Sequence, residues 1–353
     1  MTHLLLAAFL AIRVGSNVPE TPARGPQMAA QGSNVVMTFG AGDAIYFSSS
    51  KDGGATFSVP QKIVGGGILP LSRHRGPRVA MAGKAIVVTA VVGKIQAEGP
   101  HAHGLPSDGD LLVWRSTDSG KTWSKPIVIN DVPAASTEGL HALASDGGSG
   151  LIASWLDKRA GKTKLYAARS TDAGLTWSPN FLVYESPEGT ICECCAPSLA
   201  NMGEDKWAAM WRNVLSGSRD MHLATISGTS TGPAQKLGAG TWKLNACPMD
   251  GGGLAMFKGQ VYSAWRREHD VFLARAGEAE KRLGSGADVA ITATKEGIQV
   301  AWVQAGKVYV TNANATEPQL LGEHAANVSL IEVAGGVLAA WEADGQIEIR
   351  RLP

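Results

Sequence analysis

Four cysteines carry the most specific chemistry in the chain. Three stand together in Cys192-Glu193-Cys194-Cys195-Ala196-Pro197, and the fourth lies in Asn245-Ala246-Cys247-Pro248. Four thiols allow three pairings. In an exported protein the expectation is two disulfides, Cys247 to one of the first three and a second bond between the other two. A pair within C-x-C-C closes a small, strained ring and reduces easily. A thiolate site for zinc or copper is the alternative, with all four as ligands or with His141 or His222 joining. Free thiols are the third reading. Adjacent Cys194 and Cys195 should diverge, which makes them awkward ligands for one tetrahedral ion. His101-Ala102-His103 could form a surface metal clip or part of a solvated Gly-rich loop.

A second concentration is cationic. Leu71-Ser72-Arg73-His74-Arg75-Gly76-Pro77-Arg78 places three arginines and a histidine in eight residues. Arg212 and Arg266 each come directly after a tryptophan, in Trp211-Arg212 and Trp265-Arg266. A planar guanidinium makes bidentate, charge-assisted bonds to carboxylates. These groups could therefore clamp an anion, or they could pair with Asp157, Asp220 and Glu268 as structural salt bridges.

The elements that position them are strands. Period-2 apolar runs bounded by turns recur along the whole chain. The clearest fall at residues 35–39, 86–92, 151–156, 207–211, 261–265, 298–302 and 337–341. Trp155, Trp211, Trp265, Trp302 and Trp341 share one position in these runs, with Phe39 there in the first. A partner strand succeeds each run, and Tyr46, Tyr166 and Tyr309 share one position in it. Side chains that repeat this way are packing residues. Adding a strand before and a strand after each pair gives seven four-stranded antiparallel blades, the seventh lacking its last strand. Residues 11–15 can supply that strand, and such closure removes two exposed sheet edges. The prediction is an all-β propeller of seven blades, with six as the alternative.

One turn repeats three times as S-x-D-x-G-x-T-(W/F), at Ser50 to Phe57, Ser116 to Trp123 and Ser170 to Trp177. The Asp accepts hydrogen bonds from its own loop, the Gly supplies positive φ, and the aromatic plugs the gap beside the next strand. These turns resemble the Asp-boxes, or BNR repeats, of the sialidase-like β-propellers. The resemblance implies that Asp52, Asp118 and Asp172 are structural and lie on the face away from the ligand. It also implies that the chain acts as a glycoside hydrolase of exo-α-sialidase type on an anionic glycan, although sialidases have six blades. On that reading Arg75 or Arg78, with Arg212 and Arg266, holds the substrate carboxylate. Asp157 or Glu138 is the acid/base and Tyr184 the nucleophile. The alternatives are a propeller that binds a glycan or protein without cleaving it, and a metal or redox site built on the cysteines.

Long insertions at residues 65–77, 93–109, 130–141, 185–196, 213–219 and 238–247 all fall on the face opposite the Asp-boxes. They place the ligand face over blades two to five. The 353 residues carry a formal net charge of +1, with no charge runs, which excludes a general field for nucleic acid. Residues 4–12 are apolar but too short to span a bilayer, and they fit the core of a signal peptide. Residues 1–25 are thus read as a signal peptide or closing strand, and residues 26–353 as one propeller domain. A secreted or periplasmic monomer that binds a carbohydrate or glycoconjugate, with no cofactor and no membrane span, is expected.

Overall fold

The computed structural model describes residues 11–99, 102 and 104–352. Alternation of apolar and polar side chains makes each run pair antiparallel with its neighbours, and the result is seven separate sheets. Blade one is Ala23–Gln31, Asn34–Ala41, Ala44–Ser50 and Gln61–Val64, in that order from the axis outward. Blades two, three, five and six repeat this four-strand order, and their innermost strands are Arg78–Ala82, His141–Ser145, Gly252–Phe257 and Ala287–Thr294. In blade four, which starts at Ser198–Gly203, the outer strand is split into two short pieces, Ser230–Thr231 and Gln235–Lys236.

Blade seven contributes Ala325–Val333, Gly336–Ala343 and Gln346–Leu352. Its fourth strand is Ile12–Val14, paired antiparallel with Ile347 to Ile349. The predicted closure is therefore present. The apolar segment 4–12 lies mostly outside the described residues, as do His101 and His103. No helix among the described residues is long and apolar enough to cross a membrane.

The core is divided among the blade junctions. Buried apolar side chains of the described residues form seven clusters, each drawn from two adjacent blades. Trp155, Trp211, Trp265, Trp302 and Trp341 are all fully buried in them, as their repetition predicted. The partner strand sets a ring against most of them: Phe39 opposite Tyr46, Trp302 opposite Tyr309, Trp265 opposite Phe272 and Trp211 opposite His222. His222 thus occupies a core position, with Trp211 stacked beside it at 6.3 Å.

The three repeated turns are built alike. In the second, Asp118 accepts from the Thr122 backbone N–H at 2.9 Å, from Ser116 Oγ at 2.8 Å and from Thr122 Oγ1 at 2.5 Å. Asp52 and Asp172 make the same contacts. These bonds, made to the charged form, hold all three carboxylates below the usual range. The turn glycine has a second reason to be glycine. At Gly120, where φ is +85°, a Cβ would overlap Phe47 of the preceding blade.

Three innermost strands carry a bulge opposite the buried aromatic of the next strand. The left-handed residue of each bulge is Gly25 (φ 63°), Asp288 (φ 55°) and Asn327 (φ 50°). Gly, Asn and Asp tolerate that conformation best. The bulge in blade six brings the Asp288 carboxylate within reach of Arg73 and His74.

Candidate functional site at the mouth of the channel

The segment 65–77 leads into blade two, and its tip reaches across to blades five and six. His74, held at φ +60°, places Nε2 3.2 Å from Asp250 Oδ1 and 3.3 Å from Asp288 Oδ1. Both carboxylates are buried. Arg73 Nε lies 3.0 Å from the same Asp288 oxygen, and Arg266 Nη1 lies 3.4 Å from Asp250 Oδ2. Burial alone would lower the His74 pKa, but the two carboxylates outweigh it and raise the value to about 9. The imidazole is therefore charged at neutral pH. The Asp288 carboxyl, which burial would raise, is instead lowered by His74.

The predicted anion-binding arginines have distinct environments. Arg78 donates to the carbonyls of His74 at 2.6 Å, Pro77 at 3.1 Å and Gly76 at 3.3 Å, so it shapes the loop that carries His74. Desolvation lowers its pKa to about 10. Arg75 is buried and donates to the Glu138 carbonyl at 2.6 Å, with Glu138 Oε2 3.5 Å away. Arg212 is 1% exposed, and all its bonds go to carbonyls: Arg219 at 2.7 Å, Arg266 at 2.9 Å and Asp250 at 3.3 Å. Arg266 is half-buried and donates to the Glu268 carbonyl at 2.6 Å, but it still reaches the surface. It borders a cleft of about 540 Å³ with Arg73, His269, Asp288, Ser285 and Gln304. A second cleft of about 430 Å³ adjoins it, lined by Trp242, Lys243, Cys247, Glu268 and again Arg266 and His269. Arg212 and Arg266 both lie over the Trp242 ring, at 5.2 and 5.3 Å.

The candidate acid/base and nucleophile groups are engaged elsewhere. Asp157 is fully buried, accepts from Trp155 Nε1 at 2.8 Å, and is gripped by Arg159 through Nε and Nη2 at 2.9 Å each. Glu138 sits between Arg75 and Lys158. The Tyr184 hydroxyl accepts from Asn213 Nδ2 at 2.8 Å, and its ring packs 4.6 Å from Trp211. Arg212 and Arg266 are brought together, whereas Tyr184, Asp157 and Glu138 are not grouped around the cleft that Arg266 lines.

The cysteines correct one expectation. All four are free thiols, in place of the two disulfides. Cys192 Sγ lies 3.6 Å from Cys194 Sγ and 3.4 Å from Cys195 Sγ, while Cys247 is exposed on the next loop. Adjacent Cys194 and Cys195 do not diverge, because the turn between Cys192 and Ala196 folds both onto the first sulfur. Two groups of described residues could hold a metal ion: these three cysteines, and His74 with Asp250 and Asp288. Neither His141 nor His222 joins the thiols. His141 is buried beside Thr89 Oγ1 at 3.0 Å, and His222 sits in the blade-four core.

The residues that motif reading missed are Asp250, Asp288, His269 and Trp242. Asp288 had a signal: it takes the bulge position held by Gly25 and Asn327 in other blades, and alone of the three brings a charge to it. Asp250 had none, since only the crossing of the axis makes it a neighbour of His74.

No protein-family model matches the sequence, and no curated protein sequence matches it. Solved structures share its architecture. An ulvan lyase of polysaccharide lyase family PL25, bound to -[GlcA(1-4)Rha3S]-, superposes with a TM-score of 0.54 at 10% identity, over 97% of this chain and 96% of that one. A triple arginine-to-alanine mutant of AofleA from Arthrobotrys oligospora gives 0.51 at 12% identity, over 97% and 90%. Trypanosoma rangeli sialidase gives 0.51 at 12% identity, over 97% of this chain and 59% of the sialidase. At these identities the likeness is one of fold.

Proposed function

We propose that the chain is a carbohydrate-active propeller whose ligand is an anionic glycan, held at the cleft of Arg73, Arg266 and His269. One observation carries this reading. Arg73 and Arg266 line the same cleft, and each is fixed by a buried carboxylate across which His74 forms the bridge. Two carboxylates face three cationic groups, so one positive charge is left over for a ligand. Clefts walled by low-dielectric protein strengthen such a field. Trp242 beside Arg266 offers a ring to the adjoining cleft. Two of the propellers that share the fold are a lyase bound to a GlcA-containing saccharide and a sialidase, which supports the ligand class.

Sialidase-type hydrolysis is the specific activity that the Asp-box resemblance suggests, with Arg266 in the clamp, Asp157 or Glu138 as acid/base and Tyr184 as nucleophile. The closed contacts of Asp157 and Tyr184 favour a second reading, a propeller that binds the glycan without cleaving it. Export, to the periplasm or beyond, belongs to either form of the proposal.

The test is calorimetric titration with sialosides, uronic-acid oligosaccharides, sulfated oligosaccharides and neutral sugars, together with assays for new reducing ends. Anionic ligands should bind, and Arg266→Ala and Arg73→Ala should each weaken them about tenfold or more, the loss of one charge-assisted contact. Equal binding of neutral sugars, or unchanged affinity in both variants, overturns the proposal. Release of sialic acid from a sialoside would assign the hydrolase; binding without cleavage would assign the binding propeller.

A further inference from the structure

We infer that Cys192, Cys194 and Cys195 form a three-sulfur site for one thiophilic metal ion, Zn(II) or Cu(I), independent of the glycan cleft. The first argument is distance. A disulfide requires sulfurs about 2.05 Å apart, whereas Cys192 Sγ stands 3.6 and 3.4 Å from the other two. Zinc–thiolate bonds of about 2.3 Å set neighbouring sulfurs of a tetrahedral ion roughly 3.8 Å apart. All three sulfurs lie within 4.8 Å of one another, so a small outward movement of each admits an ion at their centre.

The second argument is burial and charge. Cys192 is 1% exposed and Cys195 0%. Arg219 Nη1 lies 3.3 Å from Cys192 Sγ, and Arg219 Nε is tied to the Leu244 carbonyl at 3.2 Å. A half-buried guanidinium directed at a sulfur stabilises thiolate rather than thiol. Three thiolates at one point repel one another, and a cation at their centre removes that repulsion. Three thiolates with Zn(II) carry one net negative charge, which Arg219 neutralises. Soft sulfur ligands select Zn(II) and Cu(I) over Mg(II), Ca(II) or Mn(II).

The third argument is that the backbone holds the turn in place. Ile191 bridges to Asn213, and the Cys192 N–H donates to the Arg212 carbonyl at 3.0 Å. The start of the turn is therefore pinned to the end of the second strand of blade four. Cys247, exposed on the neighbouring loop, stands outside this group of three sulfurs. Binding converts thiols to thiolates and releases their protons, so affinity rises with pH.

The experiment uses the full chain, purified in reductant and dialysed against zinc or against copper with ascorbate. Metal analysis should give about one ion per chain from at least one of the two dialyses, and uptake of only one metal decides between Zn(II) and Cu(I). Cobalt(II) should give thiolate-to-metal charge-transfer absorption. Cys194→Ser, at the most exposed of the three positions, should fold, lose that absorption and bind zinc at least about tenfold more weakly. Cys247→Ser should do the same only if a fourth sulfur is used, and a retained band there assigns the three-sulfur form. Chelator should lower the Tm of the parent and leave that of Cys194→Ser unchanged. Less than a tenth of an equivalent of either metal, no cobalt band, or a disulfide among the three cysteines by mass spectrometry overturns the inference.

Discussion

The bridge from His74 to Asp250 and Asp288 predicts a loss of stability in mild alkali. The imidazole pKa is about 9 in the folded chain against 6.5 for an ordinary histidine. A group whose folded pKa is raised stabilises the fold fully below its unfolded pKa and loses that contribution as pH rises through the folded value. The window is therefore pH 6.5 to 9. Each pH unit within it removes about 1.4 kcal/mol, and the whole shift is worth about 3 kcal/mol. A cost of that size is large against a domain stability of roughly 5–15 kcal/mol. The assay is urea unfolding at half-unit steps from about pH 6 to 10, spanning both pKa values, on the parent and on His74→Asn. The parent midpoint should fall steadily across the window. His74→Asn should be less stable at the acid end, because two buried carboxylates lose their cation, and should show little slope. A flat parent curve across the window, or an equal slope in His74→Asn, would refute the reasoning.

Two further outcomes rest on packing. Arg212→Ala should lower stability by roughly 3 kcal/mol or more, read by urea unfolding, because three carbonyls that Arg212 serves lose their donor; unchanged stability with lost ligand binding would instead mark a ligand contact. Gly322→Ala should cost about 1–3 kcal/mol, since its Cβ would stand 2.5 Å from Trp341 Cζ2 at a junction with no room to relax, and a Tm within error of the parent would count against that packing.

What was legible in the sequence is what repeats. A tryptophan at one position of five strands, and a turn that recurs with its Asp, Gly and Thr, reveal strand order because each blade solves the same packing problem. Closure was legible for a related reason: blade seven lacked an outer strand, and the chain had one to spare at residues 12–14. The site is another matter. Arg212 and Arg266 occupy equivalent positions after Trp211 and Trp265, yet one is enclosed and the other reaches the surface. The difference lies in the loops nearby. Both touch Trp242, but Arg212 also donates to the Arg219 carbonyl of insertion 213–219 and to the Asp250 and Arg266 carbonyls, whereas Arg266 leads into the short turn of Glu268 and His269. Sequence position alone cannot distinguish these cases, because part of the cover comes from the link to a different blade. The cysteines show the same limit at shorter range. Divergence was expected because adjacent side chains tend to point apart, but Cys194 and Cys195 occupy a turn that folds both toward Cys192.

The seven-blade count and the location of the site are connected through the His74 loop. Each added blade widens the space at the axis, and the loop that leads into blade two fills part of that space by reaching blades five and six. A loop that crosses an axis needs an anchor stronger than a single surface ion pair, which contributes about 1 kcal/mol or less. Burying Asp250 and Asp288 supplies the anchor, but two adjacent carboxylates in a dry setting would repel each other. One imidazolium between them removes that repulsion. Arg73 and Arg266 then approach the outer edge of the pair and are held facing the cleft. The same charges that fix the loop thus orient the groups offered to a ligand. If the proposed cleft is the ligand site, the ligand face sits toward blades five and six, one blade beyond the insertions over blades two to five.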